Sequence, residues 1–274
     1  MSILTVVLVP QGMLFGADRT ITVTQHSGPV IVVSHDERPK VLKWPNAHAL
    51  VGYVGVARIG TKTANDWLYE FIGRHPGREP AVDLCQALVS DLERDIPASV
   101  REDNEMILHL GTFETRDGLA LPQCWYIRNL DGHGNPQRRF EAREELFLDH
   151  YFGQFKTTDV RDVVRQRADV FQPFWFHQGA DLATFNTLDA VLLGTFRLLI
   201  DKHPTGVHRR PRTIEDWERY LRMSILTFGA YYEAFRPPAE RVVGGGADVE
   251  WIEWAPDPHL PVAGEKLPTD LNAT

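Results

Sequence analysis

The run Ile3–Val9, Ile-Leu-Thr-Val-Val-Leu-Val, constrains the fold more than any other stretch of the chain. It is apolar at nearly every position, not at every second one, which suits a β-strand covered on both faces. Such a strand needs a layer of structure on each side. Pro10-Gln11-Gly12 supplies a turn, and Met13–Ala17 reads as the returning strand. Thr20–Thr24, Val30–Val33 and Ala49–Val54 are further β-like runs. The period then changes. Thr61–His75 places Ala64, Trp67, Leu68, Phe71 and Ile72 on one helical stripe, and Glu79–Ile96 does the same with Val82, Leu84, Leu88, Val89 and Leu92. Met106–Phe113 and Gln123–Arg128 return to strands, followed by helical patterns over Asp159–Phe171, Leu182–Ile200 and Thr213–Phe235. Three glycines after Val243 lead into Asp248–Trp254, an alternating last strand. This order predicts an α+β layered sandwich in one domain over 1–255, with a Pro-rich tail over 256–274.

Bulk properties exclude several classes. The formal net charge of −8 over 274 residues argues against a nucleic-acid partner, which would need a basic face. The one basic cluster, Arg209-Arg210-Pro211-Arg212, reads as a solvated loop. Cys85 and Cys124 lie in apolar surroundings, so a reducing compartment fits better than a disulfide framework. Ile3–Val9 lacks a basic leader, and no stretch reads as the roughly 20 apolar residues of a membrane span. The expectation is a cytoplasmic protein without a membrane partner. The eleven histidines form no metal-ligand set, and phosphate-loop, dinucleotide and Gly-x-Ser-x-Gly motifs are absent, so no metal or cofactor is expected.

The segment up to Ala57 carries the chemistry. A hydroxyl residue exposed at a chain's start can act twice, its oxygen attacking a carbonyl while its own α-amine takes the proton. That amine ordinarily titrates at about 7.7–8.0, so it can serve as a base near neutral pH. The arrangement also needs a cation near the amine, a carboxylate to hold the cation, and N–H donors for the oxyanion. Ser2, small enough to allow removal of Met1, stands sixteen positions before Asp18 in Ser2-Ile-Leu-Thr-Val-Val-Leu-Val-Pro-Gln-Gly-Met-Leu-Phe-Gly-Ala-Asp18-Arg19-Thr20-Ile21-Thr22. Lys40 follows in Pro39-Lys40-Val41-Leu42, and Gly52 comes twelve positions later in Leu50-Val51-Gly52-Tyr53-Val54-Gly55.

These residues resemble the N-terminal nucleophile (Ntn) hydrolases of the proteasome β-subunit and HslV type, including bacterial homologues (Anbu-like or β-proteobacterial). The resemblance covers about residues 2–75 and returns at Val243–Trp254, which looks like the family's Gly-Gly-Xaa-Xaa-Asp-Val strand. It implies a four-layer αββα sandwich, a peptide or amide substrate and a homo-oligomeric ring, with an ATPase partner left open. It implies roles for Ser2 as nucleophile, Asp18 and Lys40 as its charged support, and Gly52 as oxyanion donor. Thr22 matches the residue whose backbone aligns substrate as an added strand. Lys43 stays open as an alternative lysine. Supporting positions of the family fall on Glu240 and on Val243 in place of a serine; the family's second supporting serine has no recognisable counterpart, Gln178-Gly179 being the nearest candidate. Residues 140–180 read as a helical extension. Two other readings stand beside the peptidase: an amidase for a small-molecule amide, and a noncatalytic ring subunit. Thr5, thirteen positions before Asp18, fits a strand residue better than a rival nucleophile.

Overall fold

The computed structural model describes residues 2–254 except 24–30, 36–37, 56, 76, 78, 117–118, 146–159, 180–181, 203–210 and 237–242. The fold is mixed α+β with antiparallel sheets. Strand β1 (Ile3–Val9) turns through Pro10 and Gln11 into β2 (Gly12–Asp18), pairing Val9 with Gly12 and Leu4 with Ala17. They form the centre of a four-stranded sheet flanked by β12 (Phe174–Gly179) and β13 (Ala247–Glu253), in the order β12-β1-β2-β13. A five-stranded sheet contains β5 (Val41–Trp44), β6 (Ala49–Gly55), β9 (Met106–Arg116), β10 (Leu119–Leu130) and β11 (Pro136–Glu145), in the order β11-β10-β9-β6-β5. Two short ribbons pair β3 (Thr20–Val23) with β4 (Ile31–His35), and β7 (Arg58–Ile59) with β8 (Lys62–Thr63).

Every residue of β1 and β2 is buried. Alternation divides β1 between two clusters: Leu4, Val6 and Leu8 join one, Ile3, Val7 and Val9 the other. The first cluster also holds Met13 and Phe15 of β2 with Val41, Leu50, Val54 and Ile107 of the larger sheet, so it draws on both sheets. Each fully buried side chain of this size contributes about 1.5–3 kcal/mol. Gly111 makes the close packing possible, since a Cβ there would lie 2.4 Å from Met13 Sδ. The second cluster joins β1 and β2 to α4 (Val160–Asp169), α5 (Leu182–Lys202) and α6 (Ile214–Phe235). A third packs α1 (Ala64–Arg74) and α2 (Ala81–Asp95) on the larger sheet through Trp67, Phe71, Leu88, Leu108 and Phe140. A short helix α3 (Ala98–Asp103) precedes β9.

Two expectations need correction. Residues 140–180 are not a helical extension among the described residues: they include part of β11 and all of β12, one strand for each sheet, with only α4 helical. Strand β11 is an edge strand rich in Arg and Glu, and β12 is an aromatic run without alternation, so neither carries a period-2 signal. In addition, Leu182–Ile200 is long and apolar enough to cross a membrane by length and composition, contrary to the expectation of no such stretch. One such helix is weak evidence of a span, and this one carries Asp189, which accepts hydrogen bonds from Tyr220 and Ser224 of α6. The Pro-rich tail over 256–274 lies outside the described residues.

Candidate active site

Three chain segments converge at one end of the smaller sheet: the start of β1, the end of β2 and the entry to β5. Ser2 precedes β1, Asp18 closes β2, and Lys40 precedes β5. All three are buried, Ser2 at 6%, Asp18 at 0% and Lys40 at 3% exposure. Lys40 Nζ donates to Ser2 Oγ at 2.6 Å, donates to the Thr20 carbonyl, and lies 3.5 Å from Asp18 Oδ1. The ammonium's three donors therefore have three acceptors, one of them an anion. Ser2 Oγ in turn donates to the Thr20 carbonyl at 3.3 Å.

Asp18 is held from several sides. Its Oδ1 accepts from Ile3 N at 2.9 Å, and its Oδ2 accepts from Thr20 N at 3.0 Å and Gly244 N at 3.2 Å. Three backbone donors fix the carboxylate's orientation, which in turn fixes the cation. Gly244, Gly245 and Gly246 all have positive φ (151°, 70° and 122°), conformations that L side chains rarely adopt. Gly244 also accepts from Arg19 N at 3.0 Å. Asp248, buried on β13, accepts from Lys40 N at 3.1 Å through Oδ2 and from Arg19 Nε at 2.6 Å through Oδ1.

The glycine expected as oxyanion donor does not line the small pocket beside Ser2. Gly52 lies mid-strand in β6, opposite Val41 and His109, where a Cβ would meet Leu4 Cδ1 at 2.7 Å; it serves close packing between strands. Gly55, at the end of β6, lines that pocket together with Ser2, Thr20, Lys40, Tyr53, Val54 and Ala57. Its φ is +101°, and a Cβ there would lie 2.0 Å from the Glu105 carbonyl. Both glycines stand in the same apolar run, and only the strand's direction shows which one reaches the site.

The remaining candidates separate cleanly. Lys43 points elsewhere, pairing with Glu250 at 3.3 Å and lying 4.5 Å above the Trp251 ring. Thr5 is buried within β1, 3.1 Å from His177 Nδ1; burial holds that imidazole's pKa down, at about 4. Thr22 occupies β3 opposite Val32, beside a register irregularity. Gly179 pairs with Ile3, and a Cβ there would come within 1.8 Å of the Ser2 carbonyl, so only glycine lets β12 reach this corner. Val243 is buried in the cluster beneath α6. Glu240 lies outside the described residues. Among the described residues no group of three His, Cys, Asp or Glu could hold a metal. Sequence reasoning missed Asp248, Gly244, Gly55 and the Thr20 carbonyl as members of the site. The glycine run and Asp248 were visible as a motif, but nothing local tied them to Lys40.

No protein-family model matches the chain, and no curated protein matches it. Among solved structures it is similar to "Anbu (ancestral beta-subunit)" from Yersinia bercovieri, with 11% identity, a TM-score of 0.39, and coverage of 92% of this chain and 81% of that one. It is also similar to an Anbu (Gly-1) mutant from Hyphomicrobium sp. strain MC1, with 12% identity, a TM-score of 0.36, and coverage of 92% and 82%. A second Anbu structure from that strain gives 12% identity and a TM-score of 0.35 at the same coverage. At these TM-scores the likeness carries no argument about mechanism, which rests on the site's own geometry.

Proposed function

We propose that this chain is an N-terminal serine hydrolase of amide bonds, of the proteasome-like Ntn type. The observation that carries the reading is the 2.6 Å contact from Lys40 Nζ to Ser2 Oγ, in a buried niche closed by Asp18. Once the residue before Ser2 is removed, Ser2 Oγ attacks the scissile carbonyl and the α-amine takes its proton. The Lys40 ammonium favours the neutral, proton-accepting amine through like-charge repulsion, and Asp18 holds the ammonium. The Gly55 N–H receives the oxyanion, a donor type worth about 3–4 kcal/mol in comparable enzymes. The amine then returns the proton to the leaving group, and water hydrolyses the resulting ester. Thr22, on the strand leaving the site, offers backbone for an extended substrate to pair with.

The wider proposal is a four-layer αββα sandwich over 2–254, supported by the three hydrophobic clusters, with subunits assembled in a homo-oligomeric ring. Peptide substrates are the first choice. The small size of the pocket beside Ser2 favours a second reading, an amidase for a compact amide, and a paired screen of peptides and small amides separates the two.

Ser2→Ala should lose turnover with folding unchanged, and intact mass should show a hydroxyl-directed inhibitor adding to the parent only. Turnover retained by Ser2→Ala would reject the mechanism. A parent that keeps Met1 and takes no inhibitor favours a noncatalytic subunit.

A further inference from the structure

The geometry points to Asp248 as a positioning residue that sets where Lys40 meets Ser2, a role that rests on the hydrolase reading above. Lys40 immediately precedes β5, an edge strand of the larger sheet, and Asp248 sits on β13, an edge strand of the smaller one. One carboxylate joins them. Its Oδ2 accepts the Lys40 backbone N–H at 3.1 Å, and its Oδ1 takes the Arg19 guanidinium at 2.6 Å. Arg19 N donates to the Gly244 carbonyl, Gly244 N donates to Asp18 Oδ2, and Asp18 Oδ1 faces Lys40 Nζ. These five residues close a ring of polar contacts that grips Lys40 at both ends, by its amide and by its ammonium.

The ring matters because Lys40 otherwise approaches Ser2 on a flexible four-carbon stem. Fixing the backbone end limits the arc that Nζ can sweep, which keeps the cation at one distance from hydroxyl and amine. Asp248 is 5% exposed, so water competes poorly for its contacts, whereas Arg19 is 36% exposed, and without it the carboxylate is held from the Lys40 side alone. The run Gly244–Gly246 completes the arrangement: a Cβ on Gly246 would sit 3.2 Å from Arg19 Cδ, in the path of the guanidinium's stem. An asparagine at 248 cannot keep both contacts. Its oxygen serves the Arg19 guanidinium, and its amide N–H₂ then faces the Lys40 N–H, donor against donor.

The test uses the full-length protein with Asp248→Asn, and Glu250→Gln as a control that breaks the neighbouring Lys43–Glu250 pair on the same two edges. Asp248→Asn should lower kcat on the order of 100-fold with KM unchanged, the scale that an ångström of misplacement costs. The acidic limb of its pH–rate profile should move, because the ammonium no longer stands at a fixed distance from the amine. Hydrogen exchange at the Lys40 amide should accelerate. Glu250→Gln should change none of these. Unaltered Lys40 exchange in Asp248→Asn, or faster exchange with the parent's kcat and pH profile, overturns the assignment. A parent without turnover sinks the hydrolase reading instead, and Lys40 exchange alone then decides the tether. If Asp248→Asn does not fold, Arg19→Gln replaces it, with a smaller fall in kcat expected; the parent's kcat and pH profile in that variant overturns the proposal.

Discussion

At the residue scale, the site depends on positions where one atom more would not fit. Gly55→Ala puts a methyl 2.0 Å from the Glu105 carbonyl at a φ of +101°. It should destabilise the fold by at least about 1 kcal/mol and lower turnover by more than the stability loss explains. Urea unfolding beside kcat on the folded fraction checks both. Ser2, Asp18 and Lys40 were legible through the resemblance, and the hairpin agrees with it: a tight turn returning one strand along another brings Ser2 and Asp18 to one end. The choice between Gly52 and Gly55 was not legible. They lie three residues apart in one strand, and the resemblance marked the one that faces Leu4.

At the element scale, packing of α6 on β2 is set by Gly16, where a Cβ would meet Ile225 Cδ1 at 2.7 Å and Leu221 Cγ at 2.9 Å. Gly16→Ala should cost about 1–3 kcal/mol by pushing the helix from the sheet. Gly73, near the end of α1, has nothing within 4 Å of such a methyl, so Gly73→Ala should stabilise by about 0.5–1 kcal/mol. Thermal melting of the pair should move in opposite directions. Strand β1 and helices α1, α2 and α6 were readable because each buries a continuous face. Strands β11 and β12 were not: β11 takes its place by pairing with β10, and β12 by pairing with β1, which is far from it in sequence.

At the scale of the whole molecule, acid stability should depend on His109. It is 1% exposed on β9, its ring 4.3 Å from that of Tyr126, and neither ring nitrogen has a hydrogen-bond partner among the described residues. Burial pushes its pKa down to about 3, against about 6.5 in an unfolded chain. The unfolded state therefore binds the extra proton between those values. The stability tied to neutral His109 is present above about pH 6.5 and is lost as pH falls towards 3, amounting to about 2 kcal/mol at pH 5. His177, lowered to about 4, acts in the same direction. The difference in unfolding free energy between pH 7 and pH 5 should shrink by about 2 kcal/mol in His109→Leu, with the His177 part remaining; equal pH dependence in variant and parent would refute the assignment.

The resemblance singled out Ser2, Asp18 and Lys40; the sequence alone determined that β1 is covered on both faces and that strands give way to helices after Gly55. These are properties of local periodicity and of short hairpin geometry, which neighbouring residues set among themselves. Only the tertiary structure decided that Gly55 borders the site, that β12 flanks the first strand, and that Asp248 grips Lys40 across two sheet edges. Contacts between residues 208 positions apart follow from how the sheets stack, and that depends on burial summed over the whole chain.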